Sequence, residues 1–134
     1  MKNHVTSLEL SKELNKLLPD KYKESKFCHW NDKISGYHNT GDTGIKLVEN
    51  IGLENEETYP AYLSSELGEI LPDKIKFEDV WFKLNSWKGG RAWYLDYISP
   101  ETNLDLHCPV YDENECDARA KMLIFLIKNN SINL

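Results

Sequence analysis

The sequence predicts a small α+β protein: an antiparallel sheet of about four strands, centred on an aromatic hairpin and packed with three helices, in the order α-β-β-α-β-β-α. Three observations predict it. The stretch from Trp81 to Ile98 holds two runs of aromatic and aliphatic residues on either side of Lys88-Gly89-Gly90-Arg91, the pattern of a tight hairpin. Three other segments carry apolar residues at helical intervals. Nowhere do strands and helices alternate in the manner of a nucleotide-binding fold, so the sheet is expected to be antiparallel.

A two-residue turn at Gly89-Gly90 sets the expected register, because glycine supplies the positive φ angles such turns need. Lys88 then faces Arg91, Ser86 faces Trp93, Leu84 faces Leu95 and Phe82 faces Tyr97, which gathers one apolar face. The other face pairs Trp87 with Ala92, Asn85 with Tyr94, Lys83 with Asp96 and Trp81 with Ile98. A turn displaced by one residue is expected to put Asp96 and Ala92 beside Phe82 and to part Lys83 from Asp96. The Lys83–Asp96 ion pair, worth a few tenths of a kcal/mol, supports the first register.

The first helix is expected from Ser7 to Leu18, where Thr6 and Glu9 have capping-box spacing, Leu10, Leu14, Leu17 and Leu18 form a buried stripe, and Pro19 is the stop. Phe27–Trp30 reads as a short strand. Gly36–Gly44 is a glycine-spaced polar loop, Ile45–Val48 a returning strand, and Glu49–Tyr59 an exposed acidic connection. Pro60–Pro72 reads as the second helix, with Leu63, Leu67, Ile70 and Leu71 on one face. Gly68 inside it costs about 1 kcal/mol relative to alanine and points to a bulky neighbour packed close. Lys74–Asp79 leads into the hairpin. Ser99–Tyr111 reads as irregular or a minor edge strand. The third helix starts near Asp112 or Asn114 and runs to about Asn129, with acids in its first turn favouring the dipole and Ala118, Met122, Leu123, Phe125 and Leu126 as its apolar stripe.

The totals bound the function. The 134 residues suit one domain, 1–134, and 40% hydrophobic with 28% charged residues is a globular composition. A net charge of −6 argues against a nucleic-acid backbone as the main partner. The longest apolar run, Met122–Ile127, is far short of a membrane span, and the first ten residues lack the apolar core of a secretory signal. Three cysteines, Cys28, Cys108 and Cys116, have no repeated spacing and fit reduced thiols. A cytoplasmic location is the expectation.

Three segments together, S-L-E-L-S-K-E-L near the start, A-Y-L-S-S-E-L-G-E-I-L-P in the middle and D-A-R-A-K-M-L-I-F-L-I-K-N at the end, resemble small uncharacterised proteins of bacteriophages and prophages. The resemblance spans most of the chain except the glycine-spaced loop and the acidic connection. It rests on helix caps and core stripes, so it implies a phage origin and action in the bacterial host cytosol, and it carries no site residues.

Constellations for chemistry are few. Cys28-His29 and His107-Cys108 form a mirrored pair that a sheet can bring together, with His38 and Cys116 to spare. Adjacent strand residues point to opposite faces, however, and no C-x-x-C or H-x-x-x-H spacing occurs, so no metal or other cofactor is expected. Cys28 and His29 match a nucleophile and its base by type alone. The loop 36–44 lacks the order of a phosphate-binding loop, and Asp112–Asp117 lacks the glycine and final glutamate of a calcium loop.

The aromatic inventory says more. Trp81, Trp87 and Tyr94 share the mixed face of the hairpin with Asn85, Lys83 and Asp96, Arg91 flanks the turn, and Trp30 joins whichever face its strand presents. Tryptophan among polar groups makes a binding surface, unless a helix covers it. The expected function is therefore non-catalytic binding to a host or phage protein through Trp30, Trp81, Trp87, Arg91 and Tyr94. Two alternatives stand beside it: an acidic inhibitor that imitates nucleic acid through Glu49–Glu57 and Asp112–Asp117, and a small-ligand protein or enzyme with a pocket lined by Trp30, His29, Trp87 or Arg91. Open sheet edges, with Ile124 and Ile127 flanking the third helix's stripe, leave room for a homodimer.

Overall fold

The structure, a computed structural model, describes residues 5–23, 25, 27–31, 45–49, 58–106, 109–132 and 134, and at Cys28, Trp30, Asn31, Thr58 and 45–49 it describes the backbone alone. The fold is α+β, with helices α1 (Leu8–Leu17), α2 (Ser64–Ile70) and α3 (Glu115–Lys128). The strands among the described residues form two antiparallel sheets instead of one. Strands β1 (Phe27–Asn31), β2 (Ile45–Glu49) and β3 (Thr58–Ala61) lie in the order β2-β1-β3. Strands β4 (Lys74–Phe77), β5 (Val80–Gly89), β6 (Ala92–Ile98) and β7 (Val110–Asp112) follow chain order across the second sheet. No helix among the described residues is long and apolar enough to cross a membrane.

Helix α1 starts one residue later than expected, and its cap is Ser7 instead of Thr6. The Ser7 hydroxyl accepts the Leu10 N–H, while Thr6 is fully buried and does other work. The second helix is shorter than the span 60–72. Pro60 belongs to β3, an edge strand opposite Cys28, where its missing N–H costs no ladder bond. The helix begins only at Ser64, and the Glu66 carboxylate accepts the Leu63 N–H at 2.8 Å. Gly68 has the close neighbour its presence implied: a Cβ there would sit 2.5 Å from Nη1 of Arg119 on α3. Helix α3 matches its expected span, with the Asn114 side chain accepting from the Cys116 and Asp117 N–H groups.

The hairpin exists, but its turn is Gly90-Arg91. Gly89 pairs with Ala92, Trp87 with Tyr94, Asn85 with Asp96, Leu84 with Tyr97 and Lys83 with Ile98. Gly90 has φ +61° and Arg91 is not left-handed, the requirement of a type II′ turn with glycine in first position. Displacing a two-residue turn by one slides the pairing by two residues, which leaves every side chain on its original face. Burial of one face therefore permits either turn, and Lys83 and Asp96 do not oppose one another in the ladder. Lys74–Phe77 is a strand of its own, joined to β5 by a two-residue turn in which Glu78 and Asp79 both adopt positive φ, 49° and 64°.

One face of the four-stranded sheet carries the core. Phe82, Leu95 and Tyr97 meet Met122, Leu123 and Leu126 of α3, with Leu14 of α1 and Leu67 of α2 completing the cluster. The Tyr97 hydroxyl donates to Pro72 O at 2.7 Å, tying β6 to the end of α2. Ile124 lies in this core too, and Ile132 and Leu134 pack against it. The apolar flank that left room for a homodimer is thus partly consumed inside the chain.

The other junction is polar. Val5 bridges Leu63, and Thr6 and Tyr62 exchange bonds: the Thr6 N–H donates to Tyr62 O, and the Tyr62 N–H donates to Thr6 Oγ1. Thr6 Oγ1 also lies 2.6 Å from Ser11 Oγ, and His29 Nε2–H donates to Thr6 O at 2.9 Å. The Ser7 N–H reaches Asp117 Oδ1 on α3 at 2.7 Å.

Thr6→Val keeps the shape but strands the buried Tyr62 N–H and leaves the Ser11 hydroxyl only its long bond to the residue 6 carbonyl; a urea titration should show a loss of about 1–3 kcal/mol. Asp79→Gly relieves a left-handed non-glycine residue, a conformation that costs about 1 kcal/mol or more, so its thermal midpoint should rise by about 4 °C.

Candidate functional site

Alternation along β5 sends Trp81, Lys83, Asn85 and Trp87 to the face opposite the core, and all four are exposed. This face is open among the described residues, where a helical cover was the rival expectation. Trp81 is 52% exposed. Trp81 and Trp87 stand about 20 Å apart along the strand, at roughly 3.3 Å per residue.

The pairing of Trp87 with Tyr94 brings their rings into a stack, with centroids 5.4 Å apart and planes 7° from parallel. Tyr94 in turn pairs with Tyr111 on β7, 5.8 Å away, so three strands contribute one aromatic row. Gly89 makes room for it, since a Cβ there would come within 3.2 Å of the Tyr94 ring. Stacked rings stand upright on the sheet, which leaves the far ring face of Trp87 turned toward the β4 side. Arg91 lies beside the row and lines a depression of about 460 Å³ together with Tyr94, Tyr111 and Lys121.

Of the expected site residues, Trp81, Trp87, Tyr94 and Arg91 thus share one side of one sheet. Trp30 is on β1 of the other sheet, and its side chain lies outside the described residues. Sequence reasoning missed Tyr111 because it sits beyond an irregular stretch; its signal was the alternation in Val110-Tyr111-Asp112. It also missed Lys74 and Lys76, which alternation on β4 places on the open face once that segment is seen as a strand.

The face is cationic. Lys74 lies directly opposite Lys83, and neither these two nor Arg91 forms an ion pair among the described residues. Like charges directly opposed cost stability, so this pair is not explained by folding. Lys76 approaches the Trp81 ring at 5.8 Å and Asp79 at 4.0 Å. Residues 74–96 hold five cations, of which Lys74, Lys76 and Lys83 stand on this face, Arg91 at its turn and Lys88 on the other side, against three acids in a chain of net charge −6.

One of those acids holds a proton near neutrality. Asp96 is 1% exposed, and burial, followed by its hydrogen bond and charge contact with Asp105, pushes its carboxyl up to about 7, against the weaker pull of the Tyr97 N–H. Asp105 reaches it because residues 99–106 fold back on β6, bridging Ile98.

The chemical constellations fall largely outside the described residues. His107, Cys108, His38 and the loop 36–44 lie outside the described residues, as does the side chain of Cys28. No cluster of three metal-ligating side chains occurs among the described residues. His29 is held below its ordinary pKa by burial and is spent on Thr6 O. Burial pushes the Cys116 thiol up to about 11, away from nucleophilic use. The acids of 112–117 are also largely spent: Lys121 pairs with Asp112 of β7 at 2.8 Å, Arg119 with Glu115 at 3.1 Å, and Asp117 accepts from the Ser7 N–H.

The Asp96 proton has a measurable sign. The folded chain keeps it up to about pH 7, whereas the unfolded chain releases it near pH 4, so stability falls as pH rises through that window and then levels. Asp96→Asn should flatten the fall and leave the variant the more stable at pH 8, as read by urea midpoints across the range.

No family model, curated protein or solved structure matches this chain.

Proposed function

We propose that this is a non-catalytic binding protein that engages a host or phage protein in the bacterial cytosol through the open face of its four-stranded sheet. The observation that carries the reading is the run of exposed Trp81, Lys83, Asn85 and Trp87 on that face, with Tyr94 stacked on Trp87 and Tyr111 tilted against Tyr94 behind it. Large rigid aromatics give contact area at low entropy cost, and interfaces concentrate their binding energy in such residues. The phage origin rests on the resemblance of the three helical segments. An acidic surface imitating nucleic acid draws little support, since the described acids of 112–117 are largely paired within the chain and 50–57 lie outside the described residues.

The double variant Trp81→Ala/Trp87→Ala tests it. Both side chains are exposed on the face away from the core, so the thermal midpoint should move by only a few degrees. Immobilised wild-type protein should retain a partner from bacterial lysate that the double variant retains at least about thirty-fold more weakly, the equivalent of one 2 kcal/mol hot spot. Equal retention by the two, with the fold intact, excludes this face as the interface.

A further inference from the structure

Strand β5 runs ten residues, but β4 covers only its first part: Lys74–Phe77 pairs with Val80–Lys83. The Leu84 N–H still donates to Asp73 O at 2.8 Å, and there the chain leaves the sheet, since Pro72 O accepts from the Tyr97 hydroxyl on the core side. Antiparallel hydrogen bonds alternate in direction, so the N–H and C=O groups of Ser86 and Lys88 point the same way as those of Leu84, away from β6. No strand among the described residues meets them. Asn85, Ser86, Trp87 and Lys88 are exposed in succession, so this half of β5 is wet on both faces. Among the described residues it is an uncovered edge, beside the ring face of Trp87 that Tyr94 leaves open and a Lys74–Lys83 pair with no acid partner.

We propose that this edge takes up an acidic, extended segment of the partner protein as an added strand along Asn85–Lys88. The inference rests on the reading of the sheet face as the interface and specifies what meets it. An added strand continues the line of β4, so its side chain opposite Asn85 lies next to Lys74 and diagonal to Lys83, within about 5.5–8 Å of both. A carboxylate there neutralises two lysines that the fold leaves facing one another. The next side chain on the same face, two residues along, lies opposite Trp87 and completes its stack from the side that Tyr94 leaves open. The segment therefore carries an acid and an aromatic or aliphatic residue two positions apart, with backbone bonds to Ser86 and Lys88 supplying affinity irrespective of side chain. Lysines on an edge also guard against self-pairing. Guarding accounts for Lys88 and Lys83 singly, but not for placing Lys74 directly opposite Lys83.

The probe is a capped seven-residue peptide with glutamate and tyrosine two apart in a threonine and valine background, and its counterpart with lysine for glutamate. Titration followed by amide hydrogen exchange should show binding by the first at least tenfold tighter than by the second. Exchange at Ser86 and Lys88 should slow more than tenfold, while Trp93 is unchanged. Ser86→Pro removes an N–H that serves no ladder bond to β6 and should abolish binding. Lys74→Gln/Lys83→Gln, which leaves the backbone alone, should erase the preference for the acidic peptide. Absence of binding at 1 mM, or binding without protection of Ser86 and Lys88, overturns strand addition. So does tighter binding of a ten-nucleotide oligothymidylate that Ser86→Pro leaves unchanged, which would make the face a stacking platform for single-stranded nucleic acid. A lysate partner lost from Trp81→Ala/Trp87→Ala yet kept by Ser86→Pro would retain the face and remove the strand.

Discussion

Thr6 is the point on which the arrangement of this protein depends. Its backbone pairs with Tyr62 at the exit of β3, its hydroxyl meets Ser11 of α1, and its carbonyl accepts from His29 on β1. Ser7, next in the chain, is bonded to α3. A single three-residue segment thus locates two helices against the three-stranded sheet, and its polar atoms are buried. Such a knot tolerates no partial satisfaction, because each unpaired group in it carries the full cost of desolvation. The apolar core beneath the four-stranded sheet is more forgiving, since shape-compatible residues can repack.

Burying one face of the second sheet against α3 fixes what the opposite face can be. The period of two along β5 that sends Phe82 inward sends Trp81 and Lys83 outward, and the same parity aligns Trp87, Tyr94 and Tyr111 across three strands. The aromatic row is therefore supported from below by the core without being part of it. Asp96 is the exception on that side. It is closed off by the returning segment 99–106, and burial beside Asp105 pushes its carboxyl up to about 7, so that it is partly protonated near neutrality and the negative charge on that side is reduced.

Much of this was legible in the sequence, and the failures have physical causes. Helix periodicity located α1 and α3, and the acids of the first turn placed the start of α3 closely. Parity within the hairpin put Trp81, Trp87 and Tyr94 on one side. The turn itself was misjudged because Gly89-Gly90 and Gly90-Arg91 preserve the same faces, so burial pattern cannot separate them; the difference lies in whether one or both central residues need positive φ. Strand β3 was hidden by Pro60, which opens helices as readily as it occupies sheet edges. Strand β4 was hidden by a Glu78-Asp79 turn that lacks the usual glycine or asparagine. With β4 went the Lys74–Lys83 opposition, which exists only through the pairing of two strands and has no local signature.

The bond from the Ser7 N–H to Asp117 spans 110 residues of chain. During vectorial synthesis, both sheets emerge before the helix that closes them, and Leu95 and Tyr97 wait on a bare apolar surface until α3 follows. The entropy of so long a loop must be met before the helix repays it, which places docking of α3 late and makes the nascent chain dependent on shielding in the interval.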